Sequence, residues 1–262
     1  MDKLPVSLVI VTLNEEKNIE RCIQSVPFAN DIVVIDSGST DRTVELARNL
    51  GARVRVEPWR GYQKQKTRAV ALALNHWIVS LDADEALSPE AASEIGDLLS
   101  YGENQLADGY DFPRLNFHLG KWIYHGGWYP DRQVRFFHRE KCRWMEADDD
   151  ASVVGEKIGH IKGDIFHWSF ETLADQIETM NKRSSLSASD FSVRRDDSFS
   201  LSQMIFGPPK NFIEVYFVKA GYRDGIPGFI IAVASAFSVF LYFAKIWEHI
   251  RLSTSETSHS KK

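Results

Sequence analysis

Two rhythms of apolar and polar positions alternate along the first hundred residues. Pro5 to Thr12 reads Pro-Val-Ser-Leu-Val-Ile-Val-Thr, an uncharged run of the kind a strand buried on both faces produces. The polar stretch Leu13-Asn14-Glu15-Glu16 follows, and then Ile19, Cys22, Ile23 and Val26 recur at helical spacing. Asp31 to Asp36 repeats the strand pattern and ends in a carboxylate. Ser37 to Asp41 reads as a turn, with Ser39 or Thr40 placed to cap a helix carrying Val44, Leu46, Ala47 and Leu50, which Gly51 would end. Arg53 to Val56 is a short third strand. Gly61 to Asn75 has the spacing of a helix with Ala69, Leu72 and Ala73 on its apolar side. Trp77 to Leu81 is the fourth strand, and it stops abruptly at Asp82-Ala83-Asp84-Glu85. Strand and helix in strict alternation predict an α/β fold, a mostly parallel sheet flanked by helices on both faces.

After Leu99 the pattern loosens. Gly163 to Trp168 still reads as a strand. From Gly228 to Ala244 seventeen residues carry no charge, with Pro208, Pro209 and Pro227 expected to break the chain before them. A bilayer span takes about 20 residues. An interfacial or re-entrant segment therefore suits the run better than a buried core helix or a true span. Tyr216, Phe217, Tyr222, Tyr242 and Trp247 supply the aromatic ends found at membrane surfaces. Asn211 to Phe217, with Lys210, Lys219 and Arg223, would suit a helix lying on anionic lipid. The expected organisation is an α/β domain over 1–195, a hydrophobic helical, membrane-associating region over 196–252 and a disordered polar tail over 253–262.

Composition narrows the partners. The net charge is −5 and no Lys/Arg run of useful length occurs, which argues against nucleic acid. Cys22 and Cys142 are the two cysteines, too few for a disulfide framework and compatible with a reducing cytoplasm. The chain enters its first strand at once, with no signal-peptide pattern.

The candidate chemistry lies at the strand ends. Asp82 and Asp84, with one small residue between them, suit a hard divalent cation that shares its oxygen ligands with a substrate's phosphates. Asn14-Glu15 and Asp36 fall at the ends of two further strands, and the carboxyl edge of an open α/β sheet is where ligands bind.

Four elements in order, Val11-Thr-Leu-Asn-Glu-Glu16, Asp36-Ser-Gly-Ser-Thr-Asp41, Gly61-Tyr-Gln-Lys-Gln-Lys-Thr-Arg68 and Leu81-Asp-Ala-Asp-Glu85, resemble inverting family-two glycosyltransferases of the GT-A fold. Asp131-Arg-Gln-Val-Arg-Phe-Phe137 and Lys245-Ile-Trp247 resemble the subgroup of lipopolysaccharide-core β-glucosyltransferase-like proteins. The resemblance implies a role for each position. Asp84 would be a direct ligand of Mn2+ or Mg2+, with Asp82 on the donor ribose or sugar side and counted with the metal set. Asp36 would contact uracil or ribose, with Thr12, Asn14 and Glu15 lining the same pocket; Glu15 equally suits a first-turn carboxylate favouring the helix dipole. Lys64 and Arg68, four apart on one helix face, would approach base and diphosphate. His167 would join the metal and diphosphate, or pack as a hydrogen-bonded core residue. Gly126 to Arg132 reads as an acceptor-side loop, in which Trp128 and Tyr129 would stack on a sugar face or else serve the turn and fill the core, and Arg132 and Arg135 would meet acceptor phosphate. Thr67 departs from the pattern, since many relatives carry Asn there. The subgroup's His-Glu pair is replaced by Glu146-Ala-Asp-Asp-Asp150, so the catalytic base falls to Asp149, with Asp148 and Asp150 as alternatives.

The expected reaction is inverting transfer of a hexose, from a nucleotide-sugar donor such as UDP-glucose, to a lipid-linked saccharide acceptor. The enzyme would be attached peripherally or monotopically at the cytoplasmic face of the bacterial inner membrane. A polyprenyl-phosphate glycosyltransferase and a non-catalytic nucleotide-sugar-binding membrane protein are the alternatives.

Overall fold

β1 (Leu4–Thr12) lies in the middle of a parallel array, with β2 (Ala29–Asp36) on one side and β4 (Trp77–Asp82) on the other, and β3 (Arg53–Val56) outside β2. Val6, Leu8, Val9 and Ile10 of β1 are all buried, which explains why the run is continuous and not alternating. The crossovers are α1 (Ile19–Gln24), α2 (Thr43–Asn49) and α3 (Tyr62–Leu72). Ile19, Cys22, Ile23 and Ala47 share a core with Val6, Leu8 and Ile10, whereas Ala69 and Ala73 share another with Val9, Val33 and Ile35. Helices therefore cover both faces. The structure is a computed structural model and describes residues 2–102, 105–147, 150–170, 172–193 and 200–259.

Two helix ends differ from the sequence reading, each for a tertiary reason. Ser39 and Thr40 do not cap α2; Ser39 Oγ accepts from the Asn14 amide and the Thr40 amide donates to Asn14 Oδ1, while Asp41 Oδ1 accepts from the Thr43 amide at 3.0 Å. α3 stops at Leu72, because the next residues bond elsewhere: the Leu74 amide donates to Asp31 Oδ2 (2.9 Å) and the Asn75 amide to Ser7 Oγ (3.1 Å).

Beyond β4 the added strands are β5 (Glu85–Leu87), β6 (Gly109–His118), β7 (Lys121–Ile123), β8 (Asp131–His138), β11 (Ile158–His160) and β12 (Ile165–Phe170), in the order β3-β2-β1-β4-β8-β6-β12-β5 with β7 and β11 on β6. The pairings of β8 with β4 and β6 and of β12 with β5 are antiparallel, while β11 runs parallel to β6. The sheet is thus mixed. α4 (Pro89–Ser100) starts at Ser88, whose Oγ accepts from the Ala91 amide. β9 (Arg143–Ala147) and β10 (Asp150–Val154) form a separate hairpin that sets Trp144 and Val153 beside Phe137.

The chain divides into two compact units, Met1–Asn116 with Pro130–Ser169, and Phe117–Tyr129 with Phe170–Lys262. The second holds α5 (Leu173–Val193), α6 (Leu201–Ile213), a π-helical turn Glu214–Val218, a 3-10 turn Gly221–Asp224 and α7 (Ile226–His259). The segment Phe117–Tyr129 joins these helices because Ile123 and Trp128 pack with Val215 and Ile231, and because the His125 amide and Nδ1 meet the buried Asp224 carboxylate at 2.8 and 3.1 Å. Pro208 and Pro209 lie inside α6 and do not break it. Pro227 is the second residue of α7, where a missing amide hydrogen costs little. At Gly228 a Cβ would sit 2.0 Å from the Gly221 carbonyl oxygen, so this approach requires glycine. Lys245 Nζ bonds the Asn181 carbonyl and the Ser184 and Ser185 hydroxyls at 2.7 to 2.8 Å, tying α7 to α5. The 27-residue stretch Ile226–Leu252 is long and apolar enough to cross a membrane, and little of it is buried.

Candidate active site at the carboxyl edge of the parallel strands

Parallel pairing puts Thr12 opposite Asp36 and Val11 opposite Asp82, so three neighbouring strands end in polar groups on one line. Asp36 is fully buried; its Oδ1 accepts from the Gly38 and Ser39 amides, both at 2.9 Å, and its Oδ2 from Ser39 Oγ. The β1 and β2 loops are stitched together. Asn14, at φ 56°, trades hydrogen bonds with Ser39 and Thr40, and the Glu15 amide donates to Thr43 Oγ1 at 2.8 Å. The Glu15 carboxylate accepts from Asn18 Nδ2 at 2.7 Å at the head of α1. Thr12 Oγ1 and Gln65 Oε1 are buried at this edge with no hydrogen-bond partner among the described residues.

Asp82 meets two cations. Lys66 Nζ lies 3.0 Å from Oδ1, and an Arg135 guanidinium nitrogen 2.9 Å from Oδ2. Arg135 also donates to Glu85 Oε1 at 2.9 Å, Glu85 accepts from Arg114 at 3.2 Å, and Arg114 pairs with Asp131 across β6 and β8. Three carboxylates and three cations therefore balance in one network, in which Lys66, Arg135 and Glu85 are each at most 2 % exposed. Burial disfavours the Asp82 charge, but Lys66 and Arg135 outweigh it and hold the carboxyl well below the usual carboxylate range. At Glu85 burial likewise opposes ionisation, and Arg135, helped by Arg114, prevails over both burial and the repulsion of Asp82.

Asp84 has different company. β12 pairs with β5 so that His167 stands opposite Glu85, and this register carries His167 Nε2 to 3.3 Å from Asp84 Oδ2. The other ring nitrogen, Nδ1, lies 2.6 Å from Asn116 Oδ1, a contact that fixes the ring's orientation with Nε2 toward Asp84. A carboxylate beside an imidazole whose far nitrogen is anchored is the donor set and outer-shell arrangement of a metal ligand pair. Asp84 and His167 fit a divalent cation, whereas both Asp82 oxygens are already engaged by cations. The turn is held from below: Cys22 Sγ donates to the Asp82 carbonyl at 3.4 Å, and the Trp168 amide to the Asp84 carbonyl at 3.0 Å. Burial pushes the Cys22 thiol well above its ordinary range, in keeping with a packing role.

The remaining expected site residues are scattered. Lys64 is exposed on α3, and Arg68 pairs with Glu57 at 3.1 Å; Lys66, between them, is the one that reaches Asp82. Arg135 was expected at an acceptor phosphate, but its guanidinium is turned inward onto Asp82 and Glu85. Arg132 is engaged by Asp111 and the Ile161 carbonyl, at 2.6 and 2.8 Å. In the second unit Trp128 packs edge-on to His118 and Tyr129 edge-on to Tyr124. Asp148 and Asp149 lie outside the described residues, and Asp150 opens β10 opposite Ala147. Sequence reasoning missed Lys66, Glu85, Arg114 and Asn116. For Lys66 a signal existed: Gln65 and Lys66 stand four and three residues before Ala69, on the face already assigned to the core.

Comparison with known proteins identifies a family. Residues 7–133 match the Glycosyl transferase family 2 domain. Over 259 residues the chain is 32% identical to the lipopolysaccharide core biosynthesis glycosyltransferase LpsC of Rhizobium meliloti (strain 1021), covering 94% of this chain and 93% of that protein. An uncharacterized glycosyltransferase of Rickettsia typhi is 29% identical over 255 residues, 93% of this chain and 87% of its own length. Among solved structures, glucosyl-3-phosphoglycerate synthase from Mycobacterium tuberculosis, in complex with Mn2+, UDP and phosphoglyceric acid, aligns at TM-score 0.48 and 20% identity over 71% of this chain and 77% of that one. S. aureus TarS 1-349 in complex with UDP aligns at TM-score 0.45 and 14% identity over 96% and 92%. The fold is GT-A-like, and the chain belongs to glycosyltransferase family 2.

Proposed function

We propose that this glycosyltransferase moves a hexose, glucose from UDP-glucose in the first instance, with inversion onto a lipid-linked saccharide such as lipopolysaccharide core. The observation that carries the reading is the Asp84–His167 pair, anchored by Asn116 and set on the same edge as the buried Asp36. The unpartnered oxygens of Thr12 and Gln65 beside Asp36 suit the polar edge of a base or ribose. Asp84 and His167 would hold Mn2+ or Mg2+, which when bound supplies charge neutralisation for a leaving diphosphate. Asn116, at 2.6 Å from Nδ1, orients the His167 ring with Nε2 toward Asp84. Lys66 and Arg135 position Asp82 toward the donor. The acceptor hydroxyl gives its proton to a carboxylate of the run Asp148 to Asp150, Asp149 first, and attacks the anomeric carbon opposite the leaving group, which turns an α-linked donor into a β-linkage. LpsC, named for lipopolysaccharide core biosynthesis, supports the acceptor class. The exposed Phe206, Phe217, Tyr222 and Phe229 of the second unit, in segments that also carry Lys210, Lys219 and Arg223, support a site of action at the cytoplasmic face of a membrane.

The test is release of nucleoside diphosphate from a panel of nucleotide sugars, with Mn2+ or Mg2+, with and without envelope lipid extract or polyprenyl phosphate. Metal-dependent turnover of one donor, stimulated by the lipopolysaccharide fraction and lost in Asp84→Asn with folding intact, is the expected result. Turnover by Asp84→Asn at the wild-type rate would remove the metal assignment. Stimulation by polyprenyl phosphate alone would move the acceptor, and binding without release would favour a non-catalytic protein.

A further inference from the structure

We propose that His76, His138 and Glu140 form a second metal site, for a zinc-class transition ion, at the end of β4 remote from Asp82. His76 immediately precedes β4 and His138 ends β8, and these two strands pair antiparallel with Trp77 opposite His138. Neighbouring strand ends thus present two imidazoles together. The rings lie 5.4 Å apart and 9° from parallel, His76 Nδ1 is 3.3 Å from Glu140 Oε1, and one ligand atom from each of the three residues falls within 4.8 Å of the others.

The main chain beneath this trio is fixed. The Arg139 amide donates to the His76 carbonyl at 2.9 Å, the Lys141 and Cys142 amides donate to the His138 carbonyl at 3.0 and 2.9 Å, and Arg139 reaches the Ala73 carbonyl at 2.7 Å. Trp77 stands edge-on to the His138 ring at 5.4 Å. The side chains of His76 and Glu140 are 63% and 66% exposed, so both can rotate to bonding distance, about 2 Å for nitrogen or oxygen on zinc.

Ligand chemistry separates this trio from the catalytic edge. Two imidazoles and one carboxylate suit zinc, nickel or copper, whereas magnesium prefers an all-oxygen shell. Three protein ligands also match a zinc set with an open position. An ion here would clip the start of β4 to the end of β8 and stabilise the folded sheet by mass action.

The test is calorimetric titration of the full chain with Zn2+ in an Asp84→Asn, His167→Ala background, with excess Mg2+ present. One equivalent is expected to bind, to weaken roughly tenfold or more in Glu140→Gln, and to disappear in His76→Ala/His138→Ala. Zinc should also raise the thermal midpoint of the parent and leave that of the double variant unmoved. No zinc binding by the parent, or the same affinity and midpoint shift in the double variant, would overturn the proposal. The background removes the catalytic ligands, so the outcome is independent of the transferase reading.

Discussion

Arg135 is the residue on which the candidate site leans most. Its guanidinium bridges the half-buried Asp82 and the buried Glu85. Arg135→Ala leaves both underpaired, and removing one partner of a buried network costs about 3–5 kcal/mol. The same pairing sets the acid limit. Asp82 and Glu85 titrate below their unfolded values, so their contribution is complete above the unfolded carboxylate range, about pH 4, and fades as pH falls through the folded values. Urea unfolding followed by tryptophan fluorescence should show a midpoint that drops below about pH 4 in the wild type, and a lower, flatter profile in Arg135→Ala; parallel profiles would count against the network. Asn116 acts one step further out. Asn116→Ala frees the His167 ring, and Mn2+ affinity measured by titration should fall about 10–100-fold with the fold unchanged. Unaltered affinity would remove His167 from the ligand set.

At the scale of elements, the turn between β4 and β5 owes its shape to its neighbours. α1 supports it through Cys22 and through Ser25, whose Oγ accepts from the Leu87 amide at 3.0 Å, and β12 holds it through Trp168. α4 leaves β5 under the control of Ser88, whose hydroxyl caps the helix while its amide donates to the Asp164 carbonyl at 2.9 Å. Ser88→Ala should lower stability by about 1 kcal/mol. Gly163→Ala should cost more, because the new Cβ would lie 2.2 Å from the Ala91 backbone nitrogen, and main chain at a helix start cannot swing aside as a side chain would. Denaturant midpoints of the two variants rank these effects, and the reverse order would contradict the packing described.

On the scale of the whole molecule, the second unit carries many exposed large apolar side chains. Phe206, Phe217, Val218, Tyr222, Phe229 and Val233 are exposed across α6, the turns after it and α7. The full chain should float with vesicles rich in anionic lipid, and substituting Lys210, Lys219 and Arg223 together by Glu should weaken that binding, each basic residue near an anionic surface contributing about 1 kcal/mol. Sedimentation without vesicles at low salt would dispose of the lipid surface as partner.

What the amino-acid order determined by itself was local. Strands buried on both faces need uninterrupted apolar runs, so β1, β2 and β4 could be read directly, and with them the polar residues at their ends, Asp36, Asp82 and Asp84. Lys66 was within reach of the same logic through its spacing to Ala69. Only the tertiary structure could decide the rest. Arg114, Asn116 and Arg135 lie 30 or more positions after Asp84, in short or irregularly patterned strands, and only the order β4-β8-β6-β12-β5 sets them beside the Asp82 and Asp84 turn; the same order brings His167, a candidate from the sequence, to Asp84 and not into plain core packing. Register between distant strands is a non-local property, fixed by the packing of the whole sheet. No spacing along the chain encodes which carboxylate meets a cation and which meets an imidazole.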